Sequence, residues 1–440
     1  MANEALLHYK KIGIKIESDW AQGTVTAATK LLAMRDQGVI IGINRQIVKP
    51  GRISGRASYK QSYLGTDAPK YTIPAFAYPT GDTLKLLKLA FGQVSSAEAA
   101  SFVVSSGVND KIDFTEDGGG AVAATLAAGS YTSTTFATEV KTKMEAVNGA
   151  STYTVSYSTS TKKWTITKNS GVFVIKWATG TNTATSARSL LGFTAADTSS
   201  AIAAVSDSTV EFVYDHTFTP LDAITYGLSA GMTAQIKLAD SKVYDVLDSV
   251  VDTLKLSYKP NQELWIDADC EARVVSDSVA TLAALTEESV SPLLFSQLAY
   301  TVGGSSHELA ALDVTYANNL KKDMFINSAH RYKFPRNGFR DVSGTFVLPL
   351  TDSRAYAIYD AFLAGTQPEL IGTFTGATDG IKTGFQYTVT ITLPKVQYHP
   401  EAVPGSGGAA APDAPIPFMA LDDGTNGELK IVVRNNETTV

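Results

Sequence analysis

A block that occurs twice does most to limit what this chain can fold into. In the first copy Phe76, Pro79 and Asp82 run into the segment Thr83 to Gly92; in the second Phe346, Pro349 and Asp352 run into Ser353 to Gly365. Each copy starts as an apolar strand and reaches a proline, which has no N–H to give to a central ladder. An aspartate follows, the residue type that accepts from the open N–H groups of a helix start, and a glycine closes the helix. Leu84, Leu87 and Phe91 share a face of the first helix, and Tyr356, Ile358, Tyr359 and Phe362 crowd a face of the second. Each strand thus feeds a helix able to pack back on its own sheet. Two such blocks in one chain predict a duplicated domain.

The 440 residues leave room for two or three domains with their own cores. Hydrophobic residues at 44% against 18% charged exclude a disordered chain, and the dominance of Thr, Ser, Ala, Val and Gly points to β structure. No apolar run approaches the roughly 20 residues of a membrane-spanning helix, and Met1 opens no basic-then-apolar signal. A soluble protein without conventional export is expected. Cys270 is the single cysteine, so neither an intrachain disulfide nor a thiolate metal cluster can form. The five histidines (His8, His216, His307, His330 and His399) show no ligand spacing. A net charge of −6 without a basic block argues against sequence-specific nucleic-acid recognition.

After Gly92 the composition shifts, and residues 93–208 carry a full set of elements of their own. Strands are predicted over 110–115, 121–126, 153–157, 164–168 and 172–177, with a turn at Gly129 to Tyr131. A helix over 134–147 puts Phe136, Val140, Met144 and Val147 on one face, and a short helix at 186–191 closes at Gly192. This order suffices for a small α+β domain. It interrupts the first repeat, so the predicted division is 1–92 and 209–275 for the first unit, 93–208 for an insertion, and 276–440 for the second unit. Trp164 and Trp177 read as core aromatics of the insertion rather than a sugar-binding platform.

Elsewhere, strands are predicted over 9–16 and 38–48, around a short helix at 27–34, then over 210–219 and 233–238. A turn or strand entry at 242–250 precedes a cleanly alternating strand at 252–259, whose partner is 264–275. Residues 291–298 form a helix or a docking segment. Further strands are expected over 308–320, 369–374, 383–393, 416–421 and 427–434, with a long Gly/Ala/Pro loop at 401–415. Two basic, glycine-containing tips, Pro50 to Arg56 and Phe334 to Arg340, are either mobile loops or arms that grip another subunit. Their arginines Arg52, Arg56, Arg336 and Arg340 are the candidate contact residues.

Nothing in the chain supports catalysis. Asp267, Asp269 and Glu271 share a strand face, which reads as the wet side of a sheet before it reads as a cation site. Asp422 and Asp423 open a Gly-Thr-Asn-Gly turn that lacks the alternating ligands and distal Glu of a calcium loop. Gly118 to Gly120 is followed by no Lys-Ser/Thr pair, and neither a Gly-x-Ser-x-Gly nor a His-Glu-x-x-His motif occurs. No enzyme activity, cofactor or metal is predicted.

The segments Gly344 to Leu350 with the helix to Gly365, Thr383 to Leu393 leading into Val396, and Phe76 to Gly92 with Tyr214 to Pro220 together resemble a phage tail tube protein. The insertion, with Asn109 to Phe114, Gly129 to Tyr131 and Leu191 to Phe193, is similar to an accessory module of phage structural proteins. The resemblance covers almost the whole chain but departs from the short single-domain version, because two units lie in one chain. It implies a mainly β chain of two tandem β-sandwich, tail-tube-like domains, each with a flanking helix and hairpin arm, plus the small α+β insertion. The implied role is structural: homotrimeric, pseudo-sixfold rings that stack into the tail tube, with the four arginines as inter-ring contacts. The implied partners are further copies of this chain, the tape measure protein, the tail terminator and baseplate proteins, and genomic DNA passing through the lumen without sequence-specific binding. The implied location is the virion, after assembly in the host cytoplasm, with no membrane contact. Two other readings remain at this stage: a distal-tail or baseplate-hub ring, and a virion adhesin binding glycan through the insertion.

Overall fold

The computed structural model describes residues 11–17, 31–35, 39, 41–42, 44, 47–49, 62–65, 67–149, 151–221, 231–239, 242–277, 285–321, 334–349, 360–399 and 413–440. These form a mainly β structure with antiparallel sheets, as the composition predicts.

One sheet runs through both halves of the chain. Its main path follows the strands Ile41–Gly42, Lys70–Phe76, Trp265–Glu271, Lys242–Tyr258, Ala311–Ala317, Asp341–Pro349, Asp413–Ala420 and Val396–Tyr398. Alternation sets its two faces. Tyr71, Ile73, Leu254, Leu256, Ile266, Ala268, Val314, Tyr316, Phe346 and Phe418 are buried on one side. A second sheet lies against them, ordered Ser305–His307, Leu298–Val302, Leu370–Thr375, Thr388–Leu393, Lys430–Asn435, Tyr214–Phe218 and Val94–Glu98. Tyr258 meets Phe374 edge-on at 5.1 Å, and Tyr300 and Phe346 lie 6.0 Å apart. A single continuous core fills the space between the two sheets.

The helix Asp82–Phe91 belongs to that core. Leu84, Leu86, Leu87, Leu89, Ala90 and Phe91 are all buried, so the helix is covered on more than the one face expected. Phe91 stacks on Tyr316 at 4.8 Å. Gly92 closes the helix in the left-handed region, as expected. Its start differs from expectation: Gly81, at φ 69°, takes the cap position, and Asp82 is already helical. The buried Asp82 carboxylate accepts instead from Lys85 and, at 3.4 Å, from the backbone N–H of Ile14. In the second copy residues 360–363 are helical, while Asp352 lies outside the described residues.

The strand Lys242–Tyr258 decides between the two readings of 242–250. It is one 17-residue strand, so these residues are the entry to the strand at 252–259 and not a turn. Its first part pairs with Met232–Ala239 and Val274–Asp277, and its second part with Trp265–Glu271 and Ala311–Ala317. The change of partners coincides with Asp248, at φ 51°, and a register shift between Val251 and Thr253. A bulge of this kind bends a strand, which here changes partners within the one long sheet. The predicted helix at 27–34 is not helical in its described part: Leu32 N–H donates to Ile12 and Met34 bridges to Ala75.

A separate hydrophobic core occupies residues 102–210. Here the helix Ser133–Asn148 presents Phe136, Val140 and Met144 inward, while Val147 remains 39% exposed. Thr132 caps the helix by accepting from the Thr135 N–H. Trp164 and Trp177 are 0% and 1% exposed, core residues as predicted. Gly129–Tyr131 is a strand paired with Phe102–Val104 rather than the expected turn, because the backbone bonds of a short edge decide what three residues alone do not show. The strands that flank this region, Val94–Glu98 and Tyr214–Phe218, pair with each other from Val94↔Phe218 to Glu98↔Tyr214.

Candidate functional site

The side of the long sheet that faces away from the core is built from small polar residues. Thr253, Lys255 and Ser257 lie there, opposite Asp269, Asp267 and Trp265 on one side and Ala317, Thr315 and Asp313 on the other. The rows continue through Asp341, Ser343 and Thr345. Four carboxylates on this face are engaged one by one. Asp267 binds Arg35, whose guanidinium also sits 4.3 Å above the Trp265 ring. Asp269 accepts from the Thr72 hydroxyl, Glu271 pairs with Lys70 at 2.8 Å, and Asp313 accepts from Ser257. The three carboxylates of the Trp265–Glu271 strand therefore do not converge, and among the described residues no cluster of His, Cys, Asp and Glu is placed to hold a metal ion. Cys270 is buried behind them, with burial pushing its thiol up, so it makes a poor nucleophile.

Of the four candidate arginines, Arg52 and Arg56 lie outside the described residues. Arg336 and Arg340 converge on the Leu221 carbonyl, at 2.8 and 2.9 Å, and Arg340 also pairs with Glu428 at 3.0 Å. The tip is pinned at its backbone too. Asn337 N–H donates to the Asn319 carbonyl, and the Asn319 amide donates to the Phe339 carbonyl, each at 2.8 Å. These guanidinia fix the shape of the tip, and the side chain they display is Phe339, 95% exposed. Sequence reasoning singled out the charges and missed this aromatic, although an aromatic between Gly338 and Arg340 in a basic turn was the visible signal.

Residues 102–210 are anchored on the sandwich by polar contacts. Glu98 accepts from both the N–H and the hydroxyl of Ser133, at 2.7 and 2.8 Å, at the start of the helix in that region. Glu211 pairs with Lys162 at 2.7 Å and accepts from Asn436 at 3.2 Å. Lys382 lies 4.1 Å from the centre of the Phe102 ring, and burial pushes its ammonium down to about 8 despite Glu211 and Glu98 nearby. Behind this seam His216 is wholly buried. Its Nε2 donates to the Asn435 side-chain oxygen at 3.0 Å, since the Asn435 amide nitrogen itself donates to the Pro79 carbonyl; its Nδ1 accepts from Ser96 at 2.7 Å. It is a structural histidine.

What the described residues of this site offer is surface and sheet edge. In a comparison with protein families, the family described as phage tail tube protein matches residues 10–420. The chain belongs to that family. Membership makes this a structural component of a phage tail that self-assembles into a tube. No curated protein matches the chain. No described helix is long and apolar enough to cross a membrane.

Proposed function

We propose that three copies of this tail tube chain close into a ring with pseudo-sixfold symmetry, and that the polar face of the long sheet lines the lumen through which DNA passes. The observation that carries this reading is the pairing of Thr253–Tyr258 with Leu312–Ala317, which joins strands of the two halves into one wall. The path reads twice in the same direction, as Ile41–Gly42, Lys70–Phe76, Trp265–Glu271 and Lys242–Tyr258 and then as Ala311–Ala317, Asp341–Pro349, Asp413–Ala420 and Val396–Tyr398, with the two repeat strands Lys70–Phe76 and Asp341–Pro349 second in each run. The duplication supports the trimer, because each copy brings two units to a ring that single-domain members build from six. Closure also removes the sheet edges that an isolated chain would leave open.

The division into two units and an insertion fits the same reading. After the first helix the hairpin Val94–Glu98/Tyr214–Phe218 encloses residues 99–213; after the second, Leu370–Thr375/Thr388–Leu393 encloses only residues 376–387. The larger loop holds its own core and would project outwards from the ring. The lumen face mixes Ser, Thr and Asp with the exposed Lys255, and its other cations Arg35 and Lys70 are paired to carboxylates. A wall of that kind repels phosphate weakly and offers it no free guanidinium fork, which suits passage without binding. Tape measure, terminator and baseplate proteins would then meet the lumen or the tube ends.

The test is electron microscopy of concentrated purified protein with light-scattering mass. Stacked rings with threefold averages and peripheral knobs are expected. Closed rings that never stack would favour a hub ring, and a monomer under all conditions would overturn both.

A further inference from the structure

The two ends of the long sheet's strands carry different, matching features. At one end Ala317 stands opposite Thr253 and Asp341, and the pinned turn two residues before Asp341 displays Phe339. At the other end Tyr258 stands opposite Leu312. There Leu264 N–H donates to the Leu293 carbonyl at 3.0 Å, and Glu263 bridges to Leu294. The five residue steps from Thr253 to Tyr258 separate these ends by roughly 17 Å at a strand rise of about 3.3 Å.

Beside Leu294 lies a cavity of about 530 Å³ whose walls include Pro79, Val290, Pro292, Leu293, Leu294 and Tyr387. Leu294 in its wall is 42% exposed. Such a volume accepts a phenyl ring with room to spare, and proline, valine and leucine walls suit one. The cavity end also gathers carboxylates. Glu263, Glu287 and Glu288 gather near Tyr78 at the cavity end, where burial and then these carboxylates hold the Tyr78 phenol above its ordinary range. At the knob end the cations Lys321, Arg336 and Arg340 stand with Asp252, Asp341 and Glu428.

We infer that Phe339 of one copy seats in the Pro79–Leu294–Tyr387 cavity of a second copy of this chain, stacked along the strand direction. A knob and a hole at opposite ends of the same strands make a head-to-tail contact, which does not close on itself and so extends as a filament. The backbone pinning of the knob means that little ordering entropy is lost when it docks. The arginines proposed from sequence act by holding the knob rather than by touching the neighbour. This inference rests on the tube reading and specifies its ring-to-ring contact.

The experiment compares the native chain with Phe339→Asp, Phe339→Trp and the double variant Phe339→Cys/Leu294→Cys. Because Phe339 is almost wholly exposed, its replacement leaves the fold intact, which circular dichroism and melting verify. Expected are tubes from the native chain and from Phe339→Trp, and unstacked rings from Phe339→Asp. On mild oxidation the double variant should give a non-reducing ladder of three or more linked chains, with each single cysteine variant giving at most a dimer; buried Cys270 does not interfere. Native tubes with undiminished stacking of Phe339→Asp, or tubes of the double variant that give no ladder, would overturn the knob while leaving the tube reading intact. A native chain that never stacks would overturn both.

Discussion

Two buried side chains, Glu17 and Asn318, show how single residues hold the body of this protein together. Glu17 accepts from the Thr233 hydroxyl at 2.7 Å and lies against Asp248, which pairs with Arg273 at 3.0 Å. One oxygen of each carboxylate, Glu17 Oε2 and Asp248 Oδ1, has no hydrogen-bond partner, a conflict that one proton between them resolves. Burial first and Asp248 next raise the Glu17 carboxyl above its ordinary value. A raised acid favours the folded state while protonated, so this site contributes most at pH below about 4.5 and loses that contribution as pH climbs through the raised value. Glu17→Gln keeps the Thr233 bond and removes the charge. It should stabilise the protein at pH 8 and change its stability little at pH 4, read from urea midpoints at the two pH values. Asn318 works in the opposite sense. Its amide donates to the Ala90 carbonyl at 2.8 Å and to the Val251 carbonyl at 3.1 Å, tying the end of the helix and the strand bulge to the Ala311–Ala317 strand. Asn318→Ala orphans two buried carbonyls and should cost about 2 kcal/mol, seen as a lower urea midpoint with an unchanged slope.

At the scale of elements, legibility followed alternation. Residues 252–259 announce a strand because Leu254, Leu256 and Tyr258 alternate with polar neighbours, and the structure pairs them on both sides. The same strand was unreadable before that point, since the bulge at Asp248 shifts the phase and makes one 17-residue element look like two. The buried helix Asp82–Phe91 was legible from its leucine spacing and closing glycine, but its start was not. Asp82 has a capping side chain, yet Gly81 takes a positive φ and leaves the carboxylate one position inside the helix, where Lys85 meets it. The core of residues 102–210 was legible almost whole, down to the inward Phe136, Val140 and Met144, because its contacts are local along the chain. The candidate surface was half legible. Arg336 and Arg340 stand out as a basic pair in sequence, whereas the fact that Leu221 and Glu428 engage them, and leave Phe339 displayed, depends on residues about 90 to 120 positions away.

For the whole molecule, the question is whether the sandwich depends on the module that interrupts it. The flanking strands argue that it does not: they pair from Val94↔Phe218 to Glu98↔Tyr214, and Ala99 N–H adds a bond to the Val213 carbonyl at 2.8 Å. The chain ends at the cut are therefore already neighbours across an antiparallel ladder, and an Asn-Gly turn can join them. The module's own core shares none of its buried residues with the sandwich core. Removal loses the seam contacts of Glu98 with Ser133, Glu211 with Asn436, and Lys382 with Phe102. Of these, the Lys382 contact matters most, because its partly desolvated ammonium would return to water. That change should offset part of what the lost contacts contributed. Replacing residues 100–212 by Asn-Gly should thus give a folded chain of strand-rich circular dichroism that still assembles, with rings of the same diameter in the lumen and no peripheral knobs. Aggregation of the excised chain, with the isolated module folding normally, would mean instead that the sandwich cannot form without its insertion. The seam would then be part of the core rather than an attachment to it.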